Sequence, residues 1–205
     1  MVNIMNNITK ILTALFISSL TFSSFSYSNT KDDNTFQYEK NINLSYKNSQ
    51  PYKKYIESQA LLNKLPKTIV VIPALESSYT ENAVSQDNSR VGMWQLSKHN
   101  AISMGLIVNN QVDERLDWKK STDASIKYIK LIGDKHFNGN YDLAILSLDP
   151  GVSIIKRAIK NTNSNDAKVL ISDERYLLPK YTKLYKKYLA FSDGYNKLDI
   201  KNNIQ

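Results

Sequence analysis

The chain has 205 residues, 41% hydrophobic and 22% charged, which suits one globular domain with a modest core and a removable end and leaves no room for a second full domain. It contains no cysteine, which excludes disulfides and a lipid-modified cysteine at a processing site. The formal charge is +8, and because Lys10 is the only charged residue among 1–28, residues 29–205 carry +7, an excess that favours a polyanionic partner.

Residues 1–28 read as a secretory signal peptide. Lys10 precedes an apolar stretch over residues 11–22, and Ser26 and Ser28 stand in the −3 and −1 places of a cleavage site. The stretch is shorter than the ~20 apolar residues that a membrane span needs and is diluted by Ser and Thr. Export to the periplasm or cell envelope is therefore expected, with no stable membrane span once the signal is removed. Export also points the positive charge toward an anionic cell-wall polymer and not toward nucleic acid. Residues 29–48, rich in Asn, Asp, Lys and Thr, are expected to be a flexible leader. Residues 49–192 are expected to form the domain, and 193–205 a flexible tail.

Within the domain the spacing of apolar residues is helical. Residues 51–63 place Tyr55, Ile56, Ala60 and Leu61 on one side, and residues 65–76 (LPKTIVVIPALE) are apolar enough for a buried helix, with Pro66 in its first turn and a kink at Pro73. A loop-rich connection follows over 77–120, interrupted by a helix near 97–104. Thr122 suits the cap of a helix running to about His136, with a short helix at 141–148 after it. Asp149-Pro150 reads as an N-cap and first helical position, and a last helix is expected over 175–191. No alternating strand run, internal repeat, GxGxxG, P-loop, HExxH or GxSxG is present. The predicted fold is mainly α. His99 and His136 lack any ligand spacing, so neither metal nor cofactor is expected.

Glu76 is the residue with the clearest chemical meaning. Ile69 and Ile72 lie seven and four positions before it, so a regular helix sets the carboxylate on an aliphatic face. Desolvation there raises a carboxyl pKa and keeps it protonated for donation to a leaving oxygen. A helix-end glutamate pointing into solvent would satisfy the same pattern, and periodicity does not separate the two.

The surrounding residues carry a resemblance. Pro73-Ala-Leu-Glu76-Ser77-Ser-Tyr, then Ala83-Val-Ser85, then Gly92-Met93-Trp94-Gln95-Leu96 resembles the soluble lytic transglycosylase domain of the goose-lysozyme superfamily. Gly105-Leu106, Val112-Asp113-Glu114-Arg115 and Ser121-Thr122-Asp-Ala124 through Tyr128 follow in the order of its membrane-bound transglycosylase D-like branch, and the similarity covers about residues 52–190. The resemblance implies a lysozyme-like helical domain with a groove for the glycan strands of peptidoglycan. It also implies Glu76 as the single general acid/base of a reaction that leaves a 1,6-anhydro ring. Ser77 matches a serine that fixes hydrogen bonds at the site, Gln95 a glutamine that approaches the sugar, and Met93 and Trp94 the groove wall. Trp94 suits core packing equally well. The Asp113-Glu114-Arg115 group is expected to be a structural ion-pair corner, and Tyr176, Tyr181, Tyr185 and Tyr188 half-buried packing among lysines.

Departures from the family pattern qualify the activity. Where the family usually has Ala-Tyr-Asn-Ala-Gly, this chain has Ser147-Leu148-Asp149-Pro150-Gly151, so Leu148 deletes a hydroxyl near the acid. Asp149 is open to two readings, the N-cap above or a second carboxylate that orients water. Toward the end, counting back from Pro179-Lys180 puts Asp173 at the family's glutamate, while counting by identity selects Glu174. Asp87-Asn88-Ser89 replaces the family's Ala-Gly-Ala turn. Hydrolysis by the same site, or glycan binding without turnover, are the alternative functions, and envelope machinery is a further possible partner.

Overall fold

The computed structural model describes residues 39–204. Residues 39–43 are helical and fall in a unit separate from Leu44–Gln205, which holds every other element of the fold. The expected signal peptide and residues 29–38 of the expected leader lie outside the described residues.

The chain enters this larger unit in helix α1 (residues 44–62). A 3-10 turn, Lys67–Val71, then runs into α2, Ile72–Ser77. The single helix expected over 65–76 is thus two elements. Proline has no N–H, so Pro73 cannot bond back to Ile69. Instead the Ile72 N–H donates to the Ile69 carbonyl in the tighter 3-10 pattern. A two-strand hairpin follows, β1 (Arg90–Val91) antiparallel to β2 (Leu96–Ser97), with Arg90 opposite Ser97. Gly92 opens its turn at φ 83°, where a Cβ would lie 1.9 Å from the Arg115 carbonyl oxygen, so no side chain fits there.

Helix α3 (Lys98–Ser103) is capped by Ser97, and α4 (Trp118–Phe137) by Asp117, whose carboxylate accepts from the Lys119 and Lys120 N–H groups. Thr122 is therefore not the cap. It sits inside α4, fully buried, where its hydroxyl donates to the Trp118 carbonyl and accepts from Trp94 Nε1 at 2.8 Å. Helix α5 (Tyr141–Leu146) packs on α4 where Gly133 meets the Tyr141 ring. Helix α6 (Val152–Thr162) takes Gly151, at φ 87°, as its N-cap. The N-cap reading of Asp149 is thus wrong: the chain continues past Leu146 in turns, with the Gly151 N–H returning to Ser147 O at 2.8 Å, and α6 starts later than the Asp-Pro pair suggests. A short α7 (Ala167–Ile171), absent from the sequence reading, is capped by Asp166. The charged corner is as expected: Arg115 is buried against Asp113 and donates to the Leu96 carbonyl, and Glu114 pairs with Lys120.

Helix α8 runs over Pro179–Ile204, so residues 193–204 are an ordered helix and not a flexible tail. Residues 44–48 of the expected leader are helical for a related reason. Tyr195 is 2% exposed and its hydroxyl bonds to Ser45 at 2.6 Å and Tyr79 at 3.2 Å, while the Tyr46 ring meets it edge-on at 5.1 Å. These two polar-looking segments satisfy each other's hydroxyls, which is what makes their burial tolerable. Lys53 reaches Asp199 at 3.0 Å at the same junction. Of the four expected tyrosines, Tyr185 and Tyr188 are buried, whereas Tyr176 is 36% exposed.

If the terminal residues of α8 belong to the core, Tyr195→Ala should destabilise the protein by about 3–5 kcal/mol, the usual cost of emptying a buried aromatic site. Chemical denaturation measures it. A loss below about 0.5 kcal/mol, typical of a surface change, would return this segment to the status of a tail.

Candidate active site

Glu76 occupies the last turn of α2, and the end of that helix is tightly specified. Ser78 and Tyr79 both take left-handed backbone angles, φ 53° and 63°, a conformation that costs on the order of 1 kcal/mol per non-glycine residue. The Tyr79 side chain holds them there: it is 5% exposed and its hydroxyl donates to the Val70 carbonyl at 2.6 Å. Ser77 secures the next contact, donating to the Met93 carbonyl in the hairpin turn at 2.7 Å. Ser77 thus fixes the helix end, while its residue does not line the cleft.

The Glu76 carboxylate opens into a cleft of about 170 Å³. Ile72 adjoins it on α2, Arg90 comes from β1, and the hairpin and α3 contribute Trp94 through Ser97 and Asn100. The facing wall is α4, with Ser125, Tyr128 and Ile129, and Leu148 closes the cleft beyond α5. The Glu76 side chain is only 16% exposed. Burial raises its pKa; the Arg90 guanidinium, 4.0 Å away, works against that rise and the Asp149 carboxylate adds to it. Burial prevails because the Arg90 side chain is 46% exposed, where solvent and salt weaken the attraction.

The other residues picked out by sequence divide clearly. Trp94 is both core and wall: 5% exposed, anchored through Nε1 to Thr122, and part of the cleft lining. Gln95 lines the cleft, yet its amide nitrogen is occupied by the Gly92 and Ala83 carbonyls, which hold the turn at the residue's own positive φ of 47°. Met93 is not groove wall. Its side chain is wholly buried, because the Gly92 turn directs it inward, and it serves the site through its carbonyl. Asp149 is exposed and acts on Glu76 through its charge. Asp173 is tied to Arg175, which lowers its pKa, and neither Asp173 nor the exposed Glu174 lines the cleft. Among the described residues, no group of His, Asp and Glu is arranged to hold a metal ion.

The lining residues that sequence reasoning gives no role at the site include Arg90, Asn100 and Ser125. Arg90 stands where it does because Asp87, its pKa lowered to about 2 by the Ser85 and Ser89 hydroxyls, pins the turn before β1, and Ser85 Oγ accepts from the Arg90 N–H. Ser125 is 3% exposed and its hydroxyl has no hydrogen-bond partner. Such a group costs about 1–3 kcal/mol. A serine four residues before Ile129 on the buried stripe of α4 was a legible signal of it.

Chemically, the site offers one buried carboxyl group with a raised pKa, aliphatic side chains at Ile72, Ile129 and Leu148, polar ones at Gln95, Ser97, Asn100 and Tyr128, and one cation at its rim. Such a group donates a proton when neutral and accepts one when ionised. The two flanking charges make a direct test of this balance. Arg90→Ala should move the Glu76 pKa upward and Asp149→Asn should move it downward, read by carbon-13 NMR titration of the Glu76 carboxyl. The opposite order would show that the flanking charges do not act as placed.

Residues 53–171 match the family described as Transglycosylase SLT domain. The chain is 31% identical over 147 residues to Membrane-bound lytic murein transglycosylase D of Escherichia coli strain K12, and equally to that of E. coli O6:H1. The alignment covers 71% of this chain and 31% of those relatives, so the chain spans less than a third of their length. Among solved structures it resembles an inactive mutant of the lytic transglycosylase Slt from Pseudomonas aeruginosa, with a TM-score of 0.57 and 18% identity over 72% of this chain and 24% of that one. That likeness is one of fold, and it agrees with the mainly α, lysozyme-like architecture. The family match covers more than half of the chain, and the chain belongs to the transglycosylase SLT domain family.

Proposed function

We propose that the protein is a peptidoglycan lytic transglycosylase, exported to the periplasm or cell envelope after removal of residues 1–28, which cleaves the MurNAc-β-1,4-GlcNAc bond with Glu76 as its single general acid/base. The observation that carries this reading is the Glu76 carboxyl: buried at the end of α2, biased toward its neutral form, and open to a cleft in a chain of this family. The murein named in the relatives' descriptions is the substrate class taken for this chain. Among the described residues no helix is long and apolar enough to cross a membrane.

Glu76 would first give its proton to the oxygen between the two sugars as the C1–O bond breaks. The departing GlcNAc keeps that proton as a hydroxyl, and the 2-acetamido group of the muramic residue stabilises the cationic ring. The carboxylate then takes the C6 hydroxyl proton as O6 closes on C1, which restores neutral Glu76 and leaves the 1,6-anhydro product. One residue serves both steps, as in substrate-assisted exceptions to the two-carboxylate scheme. A second reading, hydrolysis, is favoured by one observation: Asp149 lies close enough to act on Glu76 electrostatically and could orient a water in place of O6. Mass spectrometry of digested sacculi separates the two. Anhydro-MurNAc ends support the first reading; reducing ends alone would establish the second.

Glu76→Gln should reduce turnover by about 10²–10⁴, the usual contribution of a positioned acid/base, with binding to sacculi retained. An unchanged rate, or wild-type protein that binds sacculi and never clears them, would mark the chain as a binder. The same substitution has a stability signature. Because the folded-state pKa is raised, ionised Glu76 disfavours the folded state; that penalty is absent below the unfolded carboxyl pKa of about 4.3 and grows as pH rises through the folded value. Glu76→Gln should therefore melt above wild type at pH 7 and together with it at pH 4. A lower melting temperature at pH 7 would mean that the carboxylate is held by stabilising contacts.

A further inference from the structure

Hydroxyls inside the helices of this protein usually find a carbonyl of the preceding turn. Thr122 and Ser121 both donate to Trp118, Thr162 donates to Ala158, and Ser192 donates to Tyr188. Ser125, on α4 with Ser121 and Thr122, makes no such bond and is the one buried side-chain polar atom among the described residues without a partner. Its residue lines the Glu76 cleft together with Ile129 and Leu148. A buried hydroxyl left unpaired in a ligand-sized cleft has a use when a ligand supplies the missing acceptor.

The walls define that ligand's chemistry. Ile72, Ile129 and Leu148 give the cleft an aliphatic part, Arg90, Ser97, Asn100 and Tyr128 give it polar groups, and Gln95 spends its amide N–H groups on backbone carbonyls. An acetamido group suits an unpaired donor beside aliphatic side chains, since its methyl packs on aliphatic carbon and its carbonyl oxygen needs one donor. We infer that Ser125 is a substrate-binding residue whose hydroxyl donates to the acetamido carbonyl of an N-acetylhexosamine held beside Glu76, with the methyl against Ile129 and Leu148. The inference rests on the function proposed above and adds to it the feature by which the cleft tells an N-acetylated sugar from a plain one.

The test compares two neutral probes in the Glu76→Gln background, where no bond is cut: the β-1,4-linked tetramers of N-acetylglucosamine and of glucose. Calorimetry should show Ser125→Ala weakening the N-acetylglucosamine tetramer about tenfold while leaving the glucose tetramer unchanged. Thermal denaturation should find the variant at least as stable as its parent, since an unpaired hydroxyl is removed and alanine favours the helix. Unchanged binding of the N-acetylated tetramer, equal weakening of both, or a loss of stability would each overturn the inference, the last by revealing an internal partner for the hydroxyl. If neither tetramer binds although wild type clears sacculi, the inference alone falls. If wild type also fails to clear sacculi, the proposed function falls with it.

Discussion

The hydrogen bond from Ser77 to the Met93 carbonyl ties the end of a short helix to a hairpin turn, and the whole site hangs from that junction. A helix of one and a half turns has little stability of its own, and this one ends in two consecutive left-handed residues. It persists because its last residues are clamped from outside. Tyr79 stacks on Tyr52 with ring centroids 5.7 Å apart, Tyr52 meets Trp118 edge-on, and the Tyr79 hydroxyl lies in a buried group with Tyr195. Through these rings α1, α4 and α8 all bear on the residue three positions past Glu76. Burial and packing gathered from distant parts of the chain thus hold one carboxyl in surroundings where its charge is disfavoured.

The same arrangement explains why the rim charges remain modest influences. Arg90 is carried on a strand of two residues at the edge of the cleft and is open to solvent, so its attraction for Glu76 is screened. Asp149 acts in the opposite sense. The desolvating walls, by contrast, are Ile72 and Leu148, the latter next to a fully buried stretch from Leu143 to Ser147. What sets the proton affinity of Glu76 is therefore rooted in the core, while what trims it lies at the surface.

How much of this was legible depended on how local each determinant is. Ile69 and Ile72, seven and four residues before Glu76, marked its aliphatic face, and the words around Glu76 and Gly92-Met93-Trp94-Gln95 identified the family and hence the mainly α, lysozyme-like fold. The errors arose where a distant partner overrode a local preference. Thr122 has the chemistry of a cap, yet Trp94 draws it into the core as an acceptor, and Asp117 caps instead. Asp149-Pro150 has the look of a helix start, but the chain leaves α5 in turns that delay α6 to Gly151. Met93 looked like wall because its neighbours are, whereas the positive φ at Gly92 and Gln95 fixes which side chains of the turn face outward. The terminal segment was polar in composition, and only the pairing of Tyr195 with Ser45, 150 residues away, reveals it as core.

Leu148 gains a different meaning from its position. Read as a sequence, it is a lost hydroxyl near the acid. In the cleft it is also added hydrocarbon beside Glu76. A hydroxyl there would donate to the ionised carboxylate and favour it, so replacing the hydroxyl by an aliphatic group removes a stabiliser of the charge and increases desolvation together. Both changes push the pKa the same way. For the acid/base role proposed for Glu76, giving a proton in one step and taking one in the next, a higher pKa keeps more of it neutral and makes its carboxylate the stronger base. A substitution that removes one contact can thereby favour the single-carboxylate chemistry proposed for Glu76.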